Sequence, residues 1–313
     1  MGTLRRVLAP VDFSESSRKA VGYGVALAEK TGAKLYLAHI LAPDPEFGYV
    51  FPDNPPDTNA LRITDARQTL LDLLPANRDQ LHYELVAKIG AVEHELLGIV
   101  RDEDIDLVIM GTRGRTRLRR WFLGSVTEHL LREVPVPVLT VSHITPEHEA
   151  AAGKLPRVER ILFATDLGLG VEKGISASAE LAKYFNASLT LAHVVTRSSF
   201  GEQLAPFPGE FLFSEDAATI AGRMDGLTRS YMTDVNIRTA VLRGEPFDAI
   251  LHFADENSID LIVLNLERKT ALERVLLGTT AEQVVRLAHM PVLSIPVEVP
   301  AEVPVAAVDA SVA

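Results

Sequence analysis

At 313 residues, with 47% hydrophobic and 23% charged residues, the chain exceeds one ordinary domain and has the composition of a soluble globular protein able to bury two cores. A formal charge of −11 argues against broad binding to nucleic acid or an anionic membrane, and zero cysteines exclude disulfides, thiolate metal sites and cysteine nucleophiles. The N-terminal MGTLRRVLAPVDFSES places charge before a short apolar run and then acid, and no apolar run approaches the ~20 residues of a membrane span, so a cytoplasmic location is expected.

Arg6 to Val11 reads as a strand, Ser14 stands where a helix N-cap belongs, and an apolar stripe runs to Lys30 before Gly32 supplies the stop. Lys34 to Ile40 is the second strand, followed by a loop with Pro43, Pro45, Pro52, Pro55 and Pro56 and a helix from Thr58 to Leu74 that Pro75 ends. His82 to Val86 is strand three, Ala91 to Glu103 a helix, Asp106 to Met110 a fully apolar strand, Gly124 to Arg132 a helix and Val136 to Val141 the last strand.

The whole series then repeats. AKLYLAHI at Ala33 to Ile40 returns as ASLTLAHV at Ala187 to Val194, and IDLVIMG at Ile105 to Gly111 returns as IDLIVLN at Ile259 to Asn265. Asp12 and Asp166, Gly90 and Gly244, Gly124 and Gly278, and Pro137 and Pro291 keep the same separation of 154 residues, so the copies match without net insertion. Alternating strands and helices with right-handed crossovers predict an α/β chain of two tandem, doubly wound, open parallel five-stranded sheets, with ligands at the carboxyl ends of strands one and four. The expected boundaries are a first domain over 1–143, a linker over 144–158, a second domain over 159–296 and a flexible tail over 297–313. The prolines of VPVPVLTV and MPVLSIPV suit sheet edges.

The chemistry concentrates after strand four, where Gly111, Gly114, Gly124 and Ser125 follow the spacing G-x2-G-x9-G-S. Glycines at the strand end allow positive φ and bring backbone N–H groups toward an anion, while Gly124 and Ser125 open a helix whose N-terminus attracts one. Neither the P-loop nor the dinucleotide fingerprint has this spacing. Arg113 and Arg115, within the cluster Arg113, Arg115, Arg117, Arg119 and Arg120, add side-chain charge near the phosphates. The second copy has Asn265 and Arg268 where the first has Gly111 and Gly114, so it is expected not to cradle the same phosphates, with capture of a different anion by Arg268 as the alternative.

A strand ending Pro10-Val11-Asp12 together with this glycine spacing after Met110 resembles the ATP-binding branch of the universal stress protein family, in its tandem form, over Arg5 to Val141 and again Arg160 to Ile295. The resemblance implies a Rossmann-like, adenine-nucleotide alpha-hydrolase-like fold. It also implies that Asp12 contacts the adenosine, that Ile40 lines the adenine slot, and that Gly111, Gly114, Gly124, Ser125, Val126 and Thr127 wrap the phosphates of ATP, with Mg or Mn as candidate companion ion. Final strands of the family pair across a dimer, which implies an intrachain pseudo-dimer here, with a homodimer as the alternative. The leading expectation is a stress-response regulatory protein whose nucleotide state controls shape or a protein partner. Its rivals are a slow metal-dependent ATP hydrolase and a non-catalytic scaffold with vestigial pockets; no base stands at the loop, since Glu128 and His129 lie a turn into the helix.

Bland readings stand beside these. Asp12 suits the start of the first helix electrostatically, and the matched His39 and His193 read as core histidines rather than metal ligands. The loop aromatics Phe47, Tyr49, Phe51, Phe200, Phe207, Phe211 and Phe213 fit a lid, a partner surface or a simple plug equally well.

Overall fold

The computed structural model describes residues 4–43, 58–112, 123–142, 158–196, 217–268 and 279–298. The first half runs β1 (Arg6–Pro10), α1 (Glu15–Thr31), β2 (Lys34–Leu41), α2 (Thr58–Leu71), β3 (Tyr83–Ile89), α3 (Val92–Asp102), β4 (Leu107–Gly111), α4 (Ser125–Glu133) and β5 (Val138–Val141). The second runs β6 (Arg160–Ala164), α5 (Val171–Phe185), β7 (Ser188–Val195), α6 (Ala217–Thr228), β8 (Ile237–Arg243), α7 (Pro246–Glu256), β9 (Leu261–Arg268), α8 (Thr279–Leu287) and β10 (Val292–Glu298).

Local signals set most of these bounds. Ser14 is the N-cap of α1, its side chain accepting from Ser17 N–H, and Gly32 ends the helix at φ 73° with its N–H donating to Ala28 O. The α2 helix stops at Leu71, short of the expected Leu74, because Pro75 disfavours helical angles at Leu74; its last carbonyls take tighter i→i+3 bonds from Leu73 and Leu74. Asp106, just before β4, accepts the N–H groups of Arg5 and Arg6 on Oδ2, both at 2.9 Å. Asp260 holds Glu159 and Arg160 in the same way at 2.8 and 2.9 Å, so each copy ties the entry of its first strand to the entry of its fourth.

The strand order is β3-β2-β1-β4-β5-β10-β9-β6-β7-β8 in one ten-stranded sheet. Each half has the expected doubly wound parallel order, but the two sheets are not separate. Their inner edges, β5 and β10, pair antiparallel through Thr140 with Val292, Leu139 with Leu293 and Val138 with Ser294, and the buried Thr140 hydroxyl donates to Val292 O at 3.1 Å. Two unpaired edges are thereby satisfied by each other. Pro296, which has no N–H to give a neighbour, lies beyond the β5-paired residues. The strand also continues through Val297 and Glu298, where the sequence predicts a flexible tail.

Side chains alternate across the central strands and feed two cores, so these strands read as continuous apolar runs. Val7, Ala9, Leu35 and Ile109 face α1 and α2, and the same core takes in Phe163, Leu191, Val263 and Leu293 of the second half. Leu8, Tyr36, Val108 and Met110 face α3 and α4 in a core shared with Leu162, Ile262, Leu264 and Val292. Both cores cross the seam. Among the described residues no helix is long and apolar enough to span a membrane.

Candidate functional site

In the first half β1 pairs with β2 on one side and β4 on the other, so the chain order reverses between β1 and β4 and their carboxyl ends part. A cavity of ≈ 240 Å³ opens there. It is lined by Pro10 at the end of β1, Val11 and Asp12 just beyond it, Ile40 on β2, Met110 and Gly111 closing β4, and Gly124, Ser125, Val126 and Thr127 at the start of α4. Ten sequence-predicted residues thus meet in one crevice; Arg113, Gly114 and Arg115 lie outside the described residues. The rest of the arginine cluster and the loop aromatics also lie outside them.

One end of the cavity is polar. The N-cap of α4, Gly124, is extended at φ −63° and ψ 140°, and among the described residues no side chain caps the helix. The first turn of a helix has N–H groups without intrahelical acceptors, and they and the helix dipole favour an anion. The Thr127 hydroxyl is committed elsewhere, donating to Gly111 O at 2.9 Å and so strapping α4 to the end of β4. Ile40, Met110, Val92 and Leu96 give the cavity an apolar wall. The last two were not singled out by sequence, although an apolar i,i+4 pair one turn into a helix after Gly90 was a usable signal.

The reason for glycine at 111 differs from the sequence-based one. Neither Gly111 nor Gly124 has positive φ. A Cβ on Gly111 would instead meet Ser16 Oγ at 2.5 Å and the Ser16 backbone carbon at 2.7 Å, because the first turn of α1 presses directly on the strand end. Close approach, not turning, is what excludes a side chain.

Asp12 serves the loop as well as the cavity. Its Oδ1 accepts Ser14 N–H at 3.0 Å and Ser14 Oγ–H at 2.6 Å, and Asp166 accepts Gly168 N–H at 2.8 Å in the equivalent turn. His39 lines the crevice too, with Nδ1 2.6 Å from Val11 O and its ring 4.6 Å from that of Phe13, a residue held at φ 63°. His193 repeats the bond to Thr165 O at 2.9 Å, beside Leu167 at φ 61°. A contact that recurs in both halves is part of how the loop after the first strand is held. Since a carbonyl can only accept, Nδ1 is the nitrogen that carries a proton in each ring.

The second half is built differently at the equivalent strand end. Its fourth strand does not stop at Asn265: Leu266, Glu267 and Arg268 stay in register with Pro296, Val297 and Glu298, so that stretch of backbone is committed to the sheet. Asn265 donates from Nδ2 to Gly170 O at 2.8 Å, and its Oδ1 would lie 2.7 Å from a Cβ on Gly174. Gly170 and Gly174 occupy the positions of Ser16 and Ala20, so bulk has moved from helix to strand. Lys173 adds a bond from Nζ to Pro296 O at 2.7 Å. The Arg268 side chain and Gly278 lie outside the described residues.

Comparison with known proteins bears on both halves. The model of the universal stress protein family matches residues 3–142 and again 157–296. A universal stress protein of Methanocaldococcus jannaschii is 35% identical over 141 residues, covering 43% of this chain and 80% of that one. One from Mycobacterium tuberculosis is 24% identical over 297 residues, covering 92% and 95%. In fold the chain is similar to the crystal structure of a universal stress protein from Archaeoglobus fulgidus, at a TM-score of 0.67 and 19% identity over 93% of this chain and 96% of that one.

Proposed function

The chain belongs to the universal stress protein family as a tandem member, and from that premise we propose that its first half binds ATP while its second half does not. The observation that carries this reading is the meeting, in one crevice, of an uncapped helix N-terminus and a strand end that excludes any side chain. Such a crevice suits a ligand with a flat apolar ring at one end and several negative charges at the other. Ile40, Met110, Val92 and Leu96 take the adenine, Asp12 faces the ribose, and the N–H groups from Ser125 to Thr127 take the phosphates. Gly114, Arg113 and Arg115 extend the phosphate cradle by sequence. Asp12 is the one carboxylate in the described lining, so Mg or Mn would take most of its ligands from phosphate and water.

The reading is a binding module rather than a hydrolase. Asp12 has its Oδ1 engaged by two groups of Ser14, a poor arrangement for orienting an attacking water. Regulation follows from where α4 sits. Its N-terminus faces the crevice while its body packs on β9 of the second half, so a nucleotide that orders the start of α4 bears on the other domain and on any protein partner that reads the two together. Calorimetric titration of the full chain with ATP tests the assignment. One ATP per chain is expected, with binding abolished in Gly114→Arg, which copies Arg268; two ATP per chain, or unchanged binding in the variant, rejects it.

A further inference from the structure

The histidine that ties down the first-strand loop of the second half also leaves a peptide group unpaired. In a parallel ladder the N–H and C=O of one residue reach the same neighbouring strand and bond there to residues two apart. Thr165 N–H donates to Ala192 O at 2.9 Å, so a continuing ladder would next bring Val194 N–H onto Thr165 O. The His193 ring takes that oxygen instead, with Nδ1 2.9 Å from it, and Leu167 N–H turns to the Thr165 hydroxyl at 3.0 Å. On its other side β7 bonds toward β8 through Leu189 and Val195, residues of the opposite parity. Among the described residues the Val194 N–H and C=O therefore have no hydrogen-bond partner, and they point into the gap that β6 leaves beyond Ala164.

In the first half Ile40, which lines the crevice, stands in the same relation to Val11 O and His39. The apolar wall recurs as well. Ala192, Ile250 and Leu264 are buried at the positions equivalent to the lining residues Ala38, Leu96 and Met110, and the exposed Asp166 corresponds to Asp12. What does not recur is the phosphate end: the second half continues as strand through Arg268 in register with β10, and Asn265 is tied to Gly170 O.

We propose that the second half binds an adenine ring that carries no phosphate, as in adenosine, with Val194 C=O accepting from the amino group and Val194 N–H donating to the ring nitrogen beside it. This rests on the reading of the first crevice as an adenine site. A partly buried peptide group without a partner gains most from a ligand edge that sets a donor next to an acceptor, and the adenine edge is such an edge. Asp166 takes the place at the ribose that Asp12 has in the first half. His193 is a positioning residue: by holding Thr165 O it keeps the Val194 N–H open to the ligand.

Calorimetric titration of the ATP-saturated full chain with adenosine is the test, and one adenosine per chain is expected. Purine riboside, which lacks the amino group, should bind about tenfold more weakly. Val194→Pro removes an N–H that makes no ladder bond and should abolish this adenosine while leaving ATP unchanged. In the unaltered protein, hydrogen exchange at the Val194 amide should be fast and should slow with adenosine, a readout that needs no variant to fold. His193→Leu releases Thr165 O to the Val194 N–H, so exchange there should slow without ligand and adenosine should weaken about tenfold. The Val194 readouts concern the second half alone, so they stand or fall separately from ATP binding in the first. Absence of adenosine uptake by the ATP-saturated chain overturns the proposal, as does uptake that neither slows Val194 exchange nor responds to Val194→Pro.

Discussion

Gly111 and Asn265 occupy equivalent positions, and each is matched to the helix that crosses it: Ser16 and Ala20 above the glycine, Gly170 and Gly174 above the asparagine. The pairing predicts a compensation. Gly111→Asn alone should destabilise the chain by about 1–3 kcal/mol through overpacking against Ser16. Adding Ser16→Gly and Ala20→Gly should recover part of that loss, less than the full amount because each glycine within a helix costs about 1 kcal/mol. Chemical denaturation of the three proteins measures both steps; equal destabilisation with and without the helix changes would contradict the account. ATP binding should be lost in both variants, since the crevice stays filled. This matching could not be read from the sequence. The sequence marks Gly111 by its motif, but only the fold shows that the residue it must avoid lies at 16, and that Asn265 finds its acceptor on Gly170.

At the scale of elements, much was readable because the determinants are local. Ser14 and Gly32 mark the ends of α1, and short continuous apolar runs mark the central strands. What local pattern did not give was how far strands extend where pairing decides it. The run of β9 and β10 to Arg268 and Glu298 depends on each holding the other. Thr127 links elements in the same non-local way, and Thr127→Val should cost about 1 kcal/mol by removing the hydroxyl that holds Gly111 O, with a parallel loss of ATP affinity as α4 is released from β4. Tyr36 on β2 gives a pH test of another such link. It donates to Glu103 Oε2 at 2.9 Å beyond the end of α3, and burial raises its pKa above 10.0. The unfolded phenol ionises first on raising pH, so this contribution is present below about pH 10 and is lost as pH climbs through the folded pKa. Tyr36→Phe should flatten that alkaline slope in denaturation curves; an unchanged slope would mean that other groups carry it.

The molecule as a whole is one sheet with two cores that each pass through both halves. The 154-residue repeat was plain in the sequence and the prolines near the last strands of each copy pointed to edges, while the pairing of those edges within the chain was expected only from the family resemblance. That pairing predicts joint unfolding. Calorimetry of the intact chain should give a single transition with equal calorimetric and van't Hoff enthalpies, whereas Leu293→Asp, which buries an unpaired carboxylate at the seam, should split it in two. Two transitions in the unaltered protein would show the seam to be weaker than its geometry. The two halves of the sheet differ at equivalent strand ends: the first has an open crevice, and the second uses the equivalent backbone to extend its strand. A crystal structure at saturating ATP tests this most directly. The account predicts phosphates at the first turn of α4, adenine against Ile40 and Met110, and no nucleotide beside Asn265; a nucleotide seated beside Asn265 with the first crevice empty would contradict it.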